Sequence, residues 1–563
     1  MDDTYSSHKQ SIGVKKVQLF KQLASRLDFI LIISGIILVA WAKNWEGNTL
    51  QSITPQVISI FNGLSISSVL DTLLYILVTV LLPIFSKSAD LIGRAEAFTV
   101  AIFFYVISGV VMACAQSMDT LMGGQVLYAF GLSGVSVLGH VMIADMTTKV
   151  NRGLFQAFYD VPAIINIFVS PRVGEQFLIN GNWRVAYAMI PICIGVTSIP
   201  LLAGLFSVHR KVKKSGLLEE YKRETGYQSV KKGAWDKLKW LIVEIDIIGS
   251  VILAAGLCLF LLPFILAVGK WGGWSSPTTL GCLITGVLLL VIFGVYEKKF
   301  ATKPIIPLGS WKSPTAIIGV LVAATVSMFH ASNWTYFFTY IQVSRRLDTV
   351  NSYYVINSYH AMFLISQVLA GYLMKHFKVY RPIVFSGLCL MMVSMGMMIA
   401  SRTPDSSLVF VIFSQIIGGF GAGFIYVPCL IACQSSVPHE DLAIVTALFQ
   451  IGGTLSTSIG SAIAGAIFTN MLPTEFANNI PGEYDYATLA GDITAILSLP
   501  HDQWWGVVTA YGNIQRILSI VSLCFGALAF LLFFGMRSFG LTDDEINDGE
   551  EKTGSKTSIQ GKG

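Results

Sequence analysis

The chain has 563 residues with 38 Lys and Arg against 33 Asp and Glu, yet only 13% of it is charged and its mean hydropathy is +0.65. That is about half the roughly 25% charge of an ordinary soluble protein, and the charge concentrates in residues 1–27, 208–246 and 541–563, leaving 39 charged side chains among the other 474 residues. Such a composition excludes a string of soluble domains and points to a polytopic membrane protein. The basic surplus follows membrane topology, so it does not mark a nucleic-acid-binding surface.

Residues 1–27 form a polar N-tail without a cleavable signal peptide and are expected in the cytosol. A bilayer core of about 30 Å needs about 20 apolar residues per helix, and fourteen runs meet that length. Six of them (28–45, 66–86, 96–115, 120–143, 155–178 and 185–207) make an N-terminal half, 28–207. A basic cytosolic connection, 208–242, leads to two inserted helices, 243–268 and 276–296, which fill 243–296. Six more (314–341, 353–375, 381–401, 408–434, 442–470 and 514–537) make a C-terminal half, 297–540. That half holds an extracytosolic loop, 471–513, whose Tyr484, Tyr486, Trp504, Trp505 and Tyr511 suit a cap over an outer cavity. The acidic tail 541–563, rich in Gly, Ser and Lys, reads as disordered. An even span count puts both termini on one side, and the cytosolic N-terminus gathers 30 of the 38 Lys and Arg on the inner face, as the positive-inside rule requires.

Between spans 2 and 3 lies Ser86-Lys87-Ser88-Ala89-Asp90-Leu91-Ile92-Gly93-Arg94. Asp90 is suited to a neighbouring helix N-terminus, Gly93 to a tight turn, and Arg94 to a charge clamp. A weaker echo, Gly371 to Lys375 and Arg381, follows span 10, and Asp145 with Arg152 at the inner end of span 4 offers a second charge pair, for gating or for topology anchoring.

The segment from Ser86 to Arg94 resembles the signature of the major facilitator superfamily, with Ser86 where that family usually has glycine. The resemblance implies an all-α fold of 14 transmembrane helices: two six-helix halves that alternate access, plus two inserted helices. Within the 14-span branch the chain resembles the fungal siderophore-iron transporters. The residues that carry this are Asn44-Trp45-Glu46-Gly47-Asn48-Thr49-Leu50, Ser170-Pro171-Arg172-Val173-Gly174-Glu175 with Asn182-Trp183-Arg184, Glu244 to Gly249, Lys303 to Pro307, and Ala510-Tyr511 to Gln515-Arg516. Glu46 stands where the family usually has Asp. Gln125 replaces an arginine common in proton-coupled drug exporters, and their Gly-Pro pair survives only as Ser170-Pro171. Both departures lean against drug efflux.

The resemblance implies a monomeric, proton-coupled importer of ferric siderophores, chiefly iron hydroxamates, in the plasma membrane or in endosomal vesicles. It implies no enzyme activity and no cofactor. The same fold carrying glutathione, haem or drugs is the rival, and a non-transporting receptor is a remoter one. No nucleophile, base and orienter can be nominated for catalysis, the eight cysteines lack metal-ligand spacing, and no phosphate-binding G-x-x-x-x-G-K-[ST] is present, so ATP does not drive transport by this chain alone.

An ionisable group inside the bilayer costs a few kcal/mol on insertion scales, which makes each a functional candidate. Glu46 suits proton coupling, taking a proton on the acidic outside and releasing it inside, or else it is a structural hydrogen-bonded carboxylate. Arg172 and Glu175, three apart on one helix face, suit contacts to a chelate's oxygens and a second proton site, or an outer gate. Asp71 and Asp160 read as wetted anchors near span ends. His140, His330 and His360 read as packing histidines or as proton relays, and His330 has the best setting for a relay. Asn333, Trp334, Tyr336, Phe337, Phe338 and Tyr340 make an aromatic stretch for a bulky organic ligand, to which Tyr511 is added, or an interfacial aromatic belt. Met391, Met392, Met395, Met397 and Met398 read as apolar packing, and the glycines near 418–423 and 452–460 as close helix contacts.

Overall fold

The computed structural model describes residues 23–60, 67–147, 149–217, 243–269, 273–300, 314–438, 441–491 and 493–538, with 19, 271 and 540 besides. Among them there is no strand. The N-terminal half comprises α1 (Arg26–Ile60), α2 (Ser67–Leu91), α3 (Arg94–Ala113), α4 (Met118–Met146), α5 (Lys149–Asp160), α6 (Ala163–Ile179) and α7 (Trp183–Ser215). Two further helices, α8 (Ile247–Gly269) and α9 (Pro277–Lys299), separate it from the C-terminal half. That half holds α10 (Thr315–Trp334), α11 (Phe337–Arg345), α12 (Thr349–Phe377), α13 (Arg381–Ser401), α14 (Leu408–Ser435), α15 (Leu442–Asn479), the short α16 (Tyr486–Gly491) and α17 (Ile493–Leu497), and α18 (His501–Phe533).

Among the described residues, thirteen stretches are long and apolar enough to cross a membrane. The fourteenth expected span, 353–375, is present as the 29-residue α12. Its Asn351, Ser352, Asn357, Ser358 and His360 lower its hydropathy, and the physical reason is its place between the two halves, where a polar face is needed.

The expected span 155–178 is instead two helices. Pro162 has no N–H and its ring obstructs the preceding turn, so α5 ends at Asp160 and α6 begins at Ala163. The expected loop 471–513 also starts as helix, because Phe476 and Trp504 bury in one apolar cluster with Phe337, Tyr340 and Tyr511. α15 therefore runs on to Asn479 and α18 begins at His501. The start of α18 is fastened to its own half: the Trp504 indole N–H donates to the Val343 carbonyl of α11 at 3.1 Å, and the Arg346 guanidinium stacks 4.2 Å from the Trp504 ring. Most of the N-tail, the connection 218–242, the segment 301–313, the Asp71 side chain and the tail from 541 lie outside the described residues.

Each half has its own core. In the N-terminal half α1 packs along α7 and α3 along α4; in the C-terminal half α14 packs on α12 and α13, and α10 on α15 and α18. Glycine allows the closest approaches, since a Cβ on Gly131 of α4 would stand 2.5 Å from the Tyr105 Cα of α3. Met391, Met395 and Met398 turn one face of α13 into this core, as expected for packing. The halves meet along α2 against α15 and α5 and α6 against α12, and α8 lies on both α2 and α15 through Leu257, Leu261 and Ile76. In the orientation predicted by the basic residues, the inner end of this seam holds Gly153 and Gly371 and the outer end Arg172 and Tyr354.

Candidate functional site

The two faces of the seam differ in chemistry. On the N-terminal side, α1 carries Glu46, which is fully buried. Its Oε2 accepts a 2.7 Å hydrogen bond from the Tyr105 hydroxyl of α3, while Oε1 has no hydrogen-bond partner among the described residues. Tyr128 of α4 packs edge-on against Tyr105 at 5.2 Å. One turn earlier on α1, the Lys43 ammonium donates to Ser136 Oγ at 3.4 Å and lies 5.6 Å from the centre of the Tyr159 ring. Glu46 and Asp160 are both close enough to act on Lys43 by charge. His140 shares a 2.7 Å hydrogen bond through Nδ1 with Gln156 Oε1 and stacks on Tyr159 at 4.7 Å. Asn166 and Ser170 of α6 donate to the Trp41 and Trp45 carbonyls and fix α1 against α6.

The C-terminal side is aromatic. His330 of α10 stacks on Tyr359 of α12 at 4.7 Å, lies 4.7 Å from Trp334, and meets the His360 ring edge-on at 5.1 Å. Trp334 is 4.8 Å from His360, whose Nδ1 has no hydrogen-bond partner among the described residues. Phe363 continues the surface to Tyr426 of α14, 5.8 Å away. Two contacts tie the halves at mid-seam: the Thr79 hydroxyl donates to Thr454 Oγ1 at 2.8 Å, and Gln450 donates to the Ser136 carbonyl at 3.4 Å.

At the inner end the residues expected to form a clamp come together. Arg94 lies 2.7 Å from Asp90 and its Nε donates to Asp145 Oδ2 at 3.1 Å. Gly93, at φ 128°, makes the turn between α2 and α3, in a region that residues with a Cβ rarely enter. Arg152 of α5 is buried and its Nη2 donates to the Ala144 carbonyl, so it anchors α5 to the end of α4 beside Asp145. At the outer end the exposed Arg172 donates through Nε to the Tyr354 hydroxyl at 3.4 Å, and that hydroxyl donates to the Phe168 carbonyl at 3.1 Å. Glu175 is near enough to act on Arg172 by charge.

The aromatic stretch expected as one ligand surface divides. His330 and Trp334 face the seam. Tyr336 stacks face to face on Phe468 of α15 at 3.9 Å. Phe337 and Tyr340 are fully buried, Phe337 beneath the Arg402 guanidinium at 3.6 Å, and Tyr511 is buried against Phe468 and Phe476. Asn333 accepts from Arg402 at 3.2 Å. These residues belong to the outer core of the C-terminal half.

Asp160, expected as a wetted anchor, is half-buried at the break between α5 and α6. Lys43 and the pairing of His330 with His360 escaped the sequence reading. Lys43 was legible by the rule that singled out Glu46, because it is a charge in an apolar run. The histidine pair was not, since 30 residues separate its members.

A model of the major facilitator superfamily matches residues 32–461. The chain is similar to a siderophore iron transporter of Emericella nidulans, at 29% identity over 86% of this chain and 80% of that protein. It is similar, too, to a low affinity heme transporter of Schizosaccharomyces pombe, at 27% identity over 85% of this chain and 78% of that protein. Among solved structures, a bacterial homologue of the iron transporter ferroportin in an outward-facing state aligns with a TM-score of 0.54 at 13% identity, over 91% of this chain and 99% of that one.

Proposed function

Because the chain belongs to the major facilitator superfamily and is a multi-pass membrane transporter, not an enzyme, we propose that it imports ferric siderophores by alternating access, driven by protons. The observation that carries proton coupling is Glu46, a carboxylate buried beside the seam with one oxygen hydrogen-bonded and the other without a partner. Such a group is costly in a membrane unless it binds and releases a proton in the cycle. The siderophore cargo rests on the named relatives and on the residues resembling that family. Contacts at both ends of the seam, Gly153 with Gly371 and Arg172 with Tyr354, support a closed intermediate whose ends open in turn.

In this reading Arg172, Glu175 and the Tyr354 contact form the outer gate, and the clamp of Asp90, Gly93, Arg94, Asp145 and Arg152 the inner one. Lys43, Glu46, Trp334, Tyr359 and His330 line the path. The protein works in the plasma membrane with both termini in the cytosol. Uptake of an iron-loaded trihydroxamate into proteoliposomes tests it: uptake rises as external pH falls and collapses with a protonophore, and uptake indifferent to the protonophore removes proton coupling.

A second reading, haem uptake, is favoured by His330 and His360, two imidazoles walled by Trp334 and Tyr359 and suited to an iron porphyrin. Direct binding of haem and of an iron hydroxamate to the purified protein separates the two.

A further inference from the structure

Lys43 lies at the middle of α1, inside its membrane-spanning part. An ammonium at that depth is expensive and marks a functional position. Its surroundings use little of it. The group has three N–H donors, of which one reaches Ser136 Oγ at 3.4 Å, and the Tyr159 ring is 5.6 Å away. Among the described residues no carboxylate, Glu46 and Asp160 included, comes within ion-pair distance of it. Glu46, one turn on, is fully buried and bound instead to Tyr105 of α3, whereas Lys43 is only part-buried.

Ser136 places the cation at the seam. Its hydroxyl accepts from Lys43 and its carbonyl from the Gln450 amide of α15, so one residue joins the ammonium to a contact between the halves. The opposite wall is four rings packed on one another, His330, Trp334, Tyr359 and His360, with centroids 4.7–5.7 Å apart. That wall presents apolar surface. A cargo between the two walls therefore meets a positive charge on one side and aromatic carbon on the other.

We infer that Lys43 is a specificity-determining residue that reads the charge of the cargo, drawing in an iron chelate with an anionic group and turning away one with a cationic group. The two N–H donors without an acceptor among the described residues suit a carboxylate, and such charge-assisted bonds are about twice as strong as neutral ones. A chelate carrying its own ammonium instead brings like charges together in a partly dry site. The inference deepens the ferric siderophore reading and rests on it.

The test uses three iron trihydroxamates with one iron site: ferrioxamine B, which ends in a free ammonium away from the metal, its neutral N-acetyl form, and its N-succinyl form, which ends in a carboxylate. Binding to the purified protein is measured by competition against the radio-iron-loaded N-acetyl form. The wild-type chain is expected to bind the succinyl form at least about tenfold more tightly than the ammonium form, with the acetyl form between them. Lys43→Gln is expected to bring all three within about twofold, in part by strengthening the ammonium form, a gain that structural damage does not produce. Lys43→Arg is expected to keep the ranking.

Equal or reversed affinities in the wild-type chain overturn the inference whether or not a variant folds, and so does a wild-type ranking kept in Lys43→Gln. In both cases the siderophore reading stands. Failure of all three forms to bind the wild-type chain overturns that reading, and the inference with it.

Discussion

Gly371 of α12 and Gly153 of α5 meet backbone to backbone across the inner seam, where a Cβ on Gly371 would stand 2.8 Å from the Gly153 carbonyl oxygen. The clash exists only while the inner ends touch. Overpacking costs about 1–3 kcal/mol, so Gly371→Val should weaken the inner contact about tenfold or more and leave the inner end open more often. A cysteine placed at Ile431, which lines this contact, in a background without the other cysteines, should then react faster with a membrane-impermeant thiol reagent added from the inner side. Unchanged reactivity would show that the contact is not a gate.

The Tyr105 hydroxyl is the hydrogen-bond donor on Glu46, and a donor of that kind favours the charged carboxylate. Tyr105→Phe removes that bond, so the pH profile of acid-stimulated uptake should change, and an unchanged profile would show that the bond plays no part in coupling. Glu46→Gln should reach the membrane and bind substrate normally but fail to accumulate it. Accumulation driven by pH in Glu46→Gln would take the residue out of the coupling role.

Arg94 holds two carboxylates at once, Asp90 at 2.7 Å and Asp145 at 3.1 Å. Removing the shared cation leaves both without it, a loss of about 3–5 kcal/mol for a buried pair. Asp145→Asn keeps the pair with Asp90 and should cost far less. Thermal unfolding of the detergent-solubilised protein should therefore rank Arg94→Gln well below Asp145→Asn, and equal melting temperatures would contradict the clamp.

How far the sequence carried this structure depended on the range of the signal. Hydropathy and basic residues gave the spans and halves, and the turn from Ser86 to Arg94 was legible because its charges are near neighbours in the chain. Pro162 was visible too, although its effect was not: a broken helix that still crosses the membrane has the composition of a whole one. The aromatic stretch from His330 to Tyr340 read as one surface because aromatic residues suit both a ligand and a core. The turn at Thr335 and Tyr336 decides between them, sending Trp334 to the seam and Phe337 and Tyr340 into the outer core. Partners such as His330 with His360, or Lys43 with Ser136, depend on helix packing that no local pattern encodes.

Arg402 is 1% exposed, stacks over Phe337 at 3.6 Å, and makes one side-chain hydrogen bond, to Asn333 at 3.2 Å, while its Nε and Nη1 have no partner. Burial disfavours its charge, and among the described residues no carboxylate is near enough to offset that. Replacing such a cation with an apolar side chain of similar length is often neutral or stabilising, by about 1–4 kcal/mol for buried ionic groups. Arg402→Met should therefore keep or raise the melting temperature. Asn333→Ala, which strips the guanidinium of its acceptor, should lower it, by about 1–3 kcal/mol of stability. If Asn333→Ala is destabilising through Arg402, the double change should be less damaging than Asn333→Ala alone. Additive losses would mean that Asn333 acts through its other contact, the Met398 sulfur at 3.1 Å.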